Sequence, residues 1–204
     1  MNIISRSDTD FFLTGGTALS RAYYNHRYSD DLDFFVNNSD TFYDQFDTVL
    51  SMLKENGFSW NTEQEFLRAE RYATLRIRKN SEALLKLDFV NDTVPHFGEI
   101  QKTDLFDRVD SVRNILSNKI SAIYRYASKD IADIREIALR ETIIWPDIIN
   151  EARQKDAGVE LIYVSQILTG IPKSEFESII WTKAPSWEEF REDINRIVYD
   201  MLSS

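Results

Sequence analysis

The chain has no cysteine and only two histidines, His26 and His96, in 204 residues. The first absence excludes disulfides and thiolate metal sites and gives no sign of an oxidising compartment. The second excludes a histidine-rich metal centre and gives a histidine-based serine or cysteine triad little support. No apolar run approaches the roughly 20 residues needed to cross a bilayer. The opening MNIISRSDTDFFLTGG carries Arg6, Asp8 and Asp10 where a secretory leader would be apolar. A cytoplasmic protein with no membrane partner is therefore expected. Internal repeats and low-complexity tracts are missing too, as are the P-loop lysine and the G-x-G-x-x-G spacing of dinucleotide sites.

Positive charge is also short. Lys and Arg total 24 against 34 Asp and Glu, a net charge of −10, which disfavours a broad polynucleotide track. The deficit is uneven. Residues 111–140 hold six basic and three acidic side chains, and Leu67 to Lys79 holds five basic and one acidic. Two basic islands in an acidic chain suit a local anionic ligand.

What is present divides at a seam near residues 92–110. Before it, Phe11 to Thr14 reads as a strand, Thr17 to Tyr24 as a helix opening on the Gly15-Gly16 turn, and Asp31 to Val36 as a second strand. Thr41 to Asn56 has helical spacing, and Tyr72 to Arg78 and Ala83 to Val90 read as strands joined by a Lys79-Asn80-Ser81 turn. After the seam, Ser111 to Glu141 is helical in composition, and further helices are expected around Gly158 to Leu168 and Ser186 to Leu202. The expected fold is α+β, with a mixed sheet flanked by helices in a core of residues 1–105 and an all-helical region over 106–204.

Three features of the front half carry chemistry. Strand alternation puts Asp31 and Asp33 on one face, about 6–7 Å apart along the chain. A D-x-D of this kind is half of a Mg²⁺ site, or else a solvated strand edge or a helix cap. Asp88, in the apolar run LLKLDFV, is the natural third carboxylate, because an unpartnered acid there would be costly. Gly15, Gly16 and Thr17, at a strand-to-helix turn, offer backbone N–H groups to a phosphate, or are simply a turn. Arg27, beside His26, is expected to fix the loop or meet substrate phosphate, and Ser29 to orient the acids or meet nucleotide.

Taken together, Gly16-Thr17, then Asp31-Leu32-Asp33-Phe34, then Leu87-Asp88-Phe89 resemble the nucleotidyltransferase superfamily of polymerase beta and the CCA-adding enzymes. Within it, GGTAL followed by HRYSDDLDFF is similar to the AbiEii/AbiGii type, the toxin half of bacterial type IV toxin–antitoxin systems. Lys119, Arg125, Lys129-Asp130 and Asp133 resemble that family's later motifs, and the likeness covers roughly residues 11 to 140. The resemblance implies metal-dependent transfer of a nucleoside monophosphate from an NTP to an acceptor hydroxyl, with release of pyrophosphate. A tRNA or other RNA end is the implied acceptor and a cognate antitoxin the implied partner. A small-molecule or protein acceptor, or an inactive binding module of the same fold, stands as the alternative.

On that resemblance Asp31, Asp33 and Asp88 hold Mg²⁺, or Mn²⁺, and act in catalysis with Lys119 and Asp130. Gly15, Gly16, Thr17, Arg27, Ser29, Lys119 and Arg125 contact the nucleotide. Geometry adds a condition. Lys119 and Asp130 are eleven residues apart, about 16 Å on an unbroken helix. Either the helix is interrupted near Ala127-Ser128, or the two act on different parts of a ligand, or the charges are surface ones with Lys129 and Asp133 paired at i, i+4.

Overall fold

The computed structural model describes residues 2–80 and 82–204. It comprises two compact units. The first takes in residues up to Tyr23, Ser29–Val94 and Glu99–Asp110, and the second takes in Tyr24–Tyr28, Pro95–Gly98 and Ser111–Ser204. The helical part thus starts at Ser111, five residues beyond the expected 105/106 division, and it captures two short stretches of the front half.

The first unit is built on a five-stranded mixed sheet in the order β1-β2-β5-β4-β3. A short α1 (Asn2–Ser5) precedes β1 (Phe12–Thr14). Then α2 begins as one α-helical turn (Gly15–Thr17) and widens into a π-helical stretch (Ala18–Tyr24), so the helix opens on the glycine pair, two residues earlier than expected. After β2 (Leu32–Asn37) comes α3 (Phe42–Glu55), followed by β3 (Phe66–Ala69), β4 (Tyr72–Lys79) and β5 (Glu82–Asp92). Of the expected Lys79-Asn80-Ser81 turn, Ser81 lies outside the described residues, and Asn80 takes a positive φ of 55° that suits a turn. β2 runs antiparallel to β1 and parallel to β5, and the remaining pairings are antiparallel.

Alternation along the strands builds the core. Leu32, Phe34 and Val36 of β2, Ala73, Leu75 and Ile77 of β4, and Leu87 and Phe89 of β5 are buried, as are Phe42, Phe46, Val49 and Leu53 of α3. Phe89 is the hub of this core. Its ring lies 5.0 Å from Phe11, 5.3 Å from Phe34 and 5.0 Å from Phe46. Asp88 and Asp33 sit one residue before these aromatic positions and so point to the opposite face.

The second unit holds α4 (Val112–Ser121), α5 (Ser128–Arg140), α6 (Trp145–Lys155), α7 (Leu161–Thr169), α8 (Lys173–Glu177) and α9 (Trp187–Ser203). The composition of Ser111 to Glu141 shows no helix breaker, yet α4 and α5 are separate helices. Between them a 3₁₀ turn (Ile123–Arg125) ends on Tyr126, which adopts the left-handed region at φ 55°. Ser186 caps α9 through a reciprocal capping box with Glu189. Among the described residues no helix is long and apolar enough to cross a membrane.

Phe89→Ala removes the ring on which three others converge. It is expected to destabilise the sheet unit by about 3–5 kcal/mol, read as a lower urea midpoint in unfolding followed by aromatic near-UV circular dichroism.

Candidate functional site

In the sheet unit the parallel register aligns Leu32 with Leu87, Asp33 with Asp88 and Phe34 with Phe89. Residues opposite each other on neighbouring strands share a face and lie about 4.8 Å apart, so Asp33 and Asp88 stand side by side. Asp31 is exposed and sits one residue before β2, on the side of the chain that Asp33 occupies.

Gly15, the first residue of α2, closes on Asp33. Its φ is +68°, and a Cβ there would lie 2.7 Å from Asp33 Oδ2. The glycine is required twice, once for the backbone angle and once for the approach to the carboxylate. Thr17 is buried. Its hydroxyl donates to the Asp31 carbonyl oxygen and meets Ser29 Oγ at 2.8 Å, tying the residues ahead of the D-x-D to the glycine turn. Thr17 and Ser29 therefore brace one another at this turn, with Gly16 buried beside them.

Asp88 has partners that the sequence reading missed. The Tyr72 hydroxyl donates to Asp88 Oδ1 at 2.8 Å, and the Lys86 ammonium donates to Oδ2. Burial and the neighbouring Asp88 raise the Tyr72 phenol above its ordinary pKa, so it remains a donor. Burial works against charge on Lys86. The Asp88 hydrogen bond and charge outweigh it, with smaller help from Tyr72 and Asp31, and the ammonium is held above its ordinary pKa. A signal for Lys86 was available: in K-L-D the lysine and the acid are two residues apart and so share a strand face.

The donor set fits a hard cation. Among the described residues no three acids or histidines are gathered to cage an ion by themselves. Mg²⁺ does not need such a cage, because it commonly takes one or two carboxylates and completes its octahedron with water and substrate phosphate. Asp31 and Asp33 offer that arrangement. Of the basic island over Leu67 to Lys79, Arg68 pairs with Asp47 at 3.0 Å and covers the Tyr43 ring, and Arg78 pairs with Glu65.

The helical unit holds a second charged centre. The break after α4 brings Lys119 onto α5, where its ammonium donates to Asp130 and lies 2.7 Å from Asp133 Oδ2. Of the three arrangements left open by the spacing, the interrupted helix is the one observed. Asp133 is fully buried. Arg27 grips it in bidentate fashion, Nε to Oδ1 and Nη2 to Oδ2 at 2.7 Å each, and His26 Nε2 meets Oδ1 at 2.9 Å. The surface pairing of Lys129 with Asp133 is accordingly not formed, since Lys129 is exposed and Asp133 is enclosed by other cations. Asp130 also accepts from Arg125, whose side chain remains 57% exposed.

Burial alone would favour a neutral Asp133, but Lys119, His26 and Arg27 together hold its carboxyl far below the usual range. Lys119 is buried as well, and the charges of Asp133 and Asp130 outweigh that burial and raise its pKa. Arg27 is thus spent on Asp133, and the outermost cation of this centre is Arg125.

A family model described as nucleotidyl transferase AbiEii toxin, type IV TA system, matches residues 2–200. No curated protein matches the chain in sequence. Solved structures share its fold. JHP933 from Helicobacter pylori superposes with a TM-score of 0.66 at 18% identity, covering 98% of this chain and 88% of that one. A putative nucleotidyltransferase from H. pylori gives 0.64 at 17%, covering 98% and 90%. MenT4, a nucleotidyltransferase toxin from Mycobacterium tuberculosis, gives 0.57 at 16%, covering 97% and 77%.

Asp133→Asn leaves Lys119 and Arg27 buried without their shared carboxylate and is expected to cost about 3–5 kcal/mol in urea unfolding at pH 7. Because the folded-state pKa of Asp133 is depressed, its contribution is complete above about pH 4 and is lost as the pH falls from there toward the folded value. Stability measured from pH 5 down to pH 2 should therefore fall less steeply in the variant than in the wild type.

Proposed function

The chain belongs to the AbiEii family of nucleotidyl transferase toxins of type IV toxin–antitoxin systems, and on that footing we propose that it transfers a nucleoside monophosphate from an NTP to a hydroxyl at an RNA end, with tRNA as the leading acceptor. The observation that supports this most is the in-register pair of Asp33 and Asp88, with Asp31 beside it and Gly15 packed against the Asp33 carboxylate.

In this reading Asp31 and Asp33 hold Mg²⁺, or Mn²⁺ in its place, with Asp88 as the third carboxylate of the site. A divalent ion there would supply Lewis-acid charge to the substrate phosphate. The chain does the rest. Gly15, Gly16 and Thr17 present backbone N–H groups to the triphosphate at the first turn of α2. The short braces from Thr17 to Ser29 and to the Asp31 carbonyl keep the acids and that turn in one geometry. Within the helical unit Asp130 orients Lys119 and Arg125, the cations that the resemblance to the family's later motifs assigns to substrate, and Arg27 maintains that centre through Asp133. A cytoplasmic setting and a cognate antitoxin belong to the same reading. The net charge of −10 favours a small-molecule or protein hydroxyl as the second acceptor class.

Incubation with each labelled NTP, Mg²⁺, and either total tRNA or cell lysate is expected to label an RNA fraction with one preferred nucleotide. Label on protein or small molecules would establish the second reading. No label in any fraction would indicate an inactive module. Asp31→Ala is expected to reduce transfer to background, and wild-type labelling by that variant would overturn the assignment.

Gly15→Ala tests the close approach separately. It is expected to lower stability by only about 1–3 kcal/mol while lowering transfer far more, because the new Cβ displaces the Asp33 carboxylate. Equal small effects on both would show that the Asp33 position is not critical.

A further inference from the structure

β2 and β5 place four charged groups on one patch of one sheet face. Asp33 stands opposite Asp88 in the parallel register. Two residues earlier stand Lys86 on β5 and Asp31, the residue just before β2. The patch is thus about 4.8 Å across and about 6–7 Å along the strands, with three carboxylates and one ammonium at its corners.

The register also sets Arg76 of β4 opposite Lys86 on this face, so basic side chains already supply positive charge beside the three acids. A second divalent ion would need Asp88, and both oxygens of Asp88 are already engaged, Oδ1 by the Tyr72 hydroxyl and Oδ2 by Lys86. The side chain of Asp88 is 13% exposed and that of Lys86 30%, so the ion pair is sheltered while the lysine side chain keeps partial access to solvent.

Resting on the metal-site reading above, we propose that Lys86 sets the metal number of this site: its ammonium, latched to Asp88 and Tyr72, takes the place of a second divalent ion, so that the chain binds one through Asp31 and Asp33. The ammonium is then the fixed positive charge offered to substrate phosphate from the third carboxylate's corner. Asp88 acts as the anchor of that charge, and Tyr72 holds Asp88 in place. Unlike a metal ion, this charge is covalently attached and does not depend on ion concentration.

The test is to count Mn²⁺ bound to the full chain, without nucleotide or acceptor, from the free-ion signal in electron paramagnetic resonance. The wild type is expected to bind one Mn²⁺ per chain. Lys86→Met, checked for folding by circular dichroism, frees Asp88 and is expected to gain a second Mn²⁺. Lys86→Arg keeps the cation and is expected to retain one. Two Mn²⁺ bound to the wild-type chain would overturn the proposal without recourse to any variant, as would a folded Lys86→Met that binds like the wild type. No Mn²⁺ bound to the wild type would overturn the metal-site reading itself, so the two failures are distinguishable.

Discussion

The parallel pairing of β2 with β5 is the constraint on which the sheet unit depends. One register serves two faces. On one, Phe34 and Phe89 stack at 5.3 Å within the aromatic core, and on the other Asp33 and Asp88 stand together. A slip of one residue would turn the carboxylates into the core and the phenyl rings toward water, so the register is specified by the apolar face and inherited by the polar one. The acids do not have to attract one another. The hydrophobic core holds them at a spacing they would otherwise avoid, and Lys86 and Tyr72 relieve part of the repulsion at Asp88.

The helical unit solves a related problem in the opposite way. There the charges themselves are buried, and the structure is held by saturating them. Asp133 accepts from Arg27, His26 and Lys119, and Asp130 from Lys119 and Arg125. Removing two carboxylates from water is costly, and the cost is offset only when every oxygen finds a donor. This accounts for the left-handed Tyr126 and the abrupt end of α4. Without the break, Lys119 could not reach α5.

Much of this was legible in the sequence, and the exceptions share a cause. Alternation put Asp31 and Asp33 on one side, an apolar run singled out Asp88, and the glycine pair marked the turn. The strand and helix limits derived from periodicity fall within a residue or two of those observed for β2, α3, β4 and α9. The strand β3 was not legible, because FLRA is mostly exposed and shows no alternation. Nor was α6, although Pro146 in its first turn and the buried pair Ile148 and Ile149 are fair signals. The partner of Asp133 lies 106 residues away at Arg27, and no local pattern encodes such a pairing. The break between α4 and α5 has no glycine or proline, since the charge pairing imposes it.

The capture of Tyr24–Tyr28 by the helical unit has a consequence for how such a protein can be taken apart or recombined. Neither unit is one contiguous piece of chain. A cut after Asp110 would strand Arg27 and His26 on a fragment without Asp133 and would deprive the other fragment of two of its donors. The fold is therefore not a pair of interchangeable cassettes: exchange of the helical region between relatives would succeed only if the five residues between the glycine turn and the acid pair travelled with it.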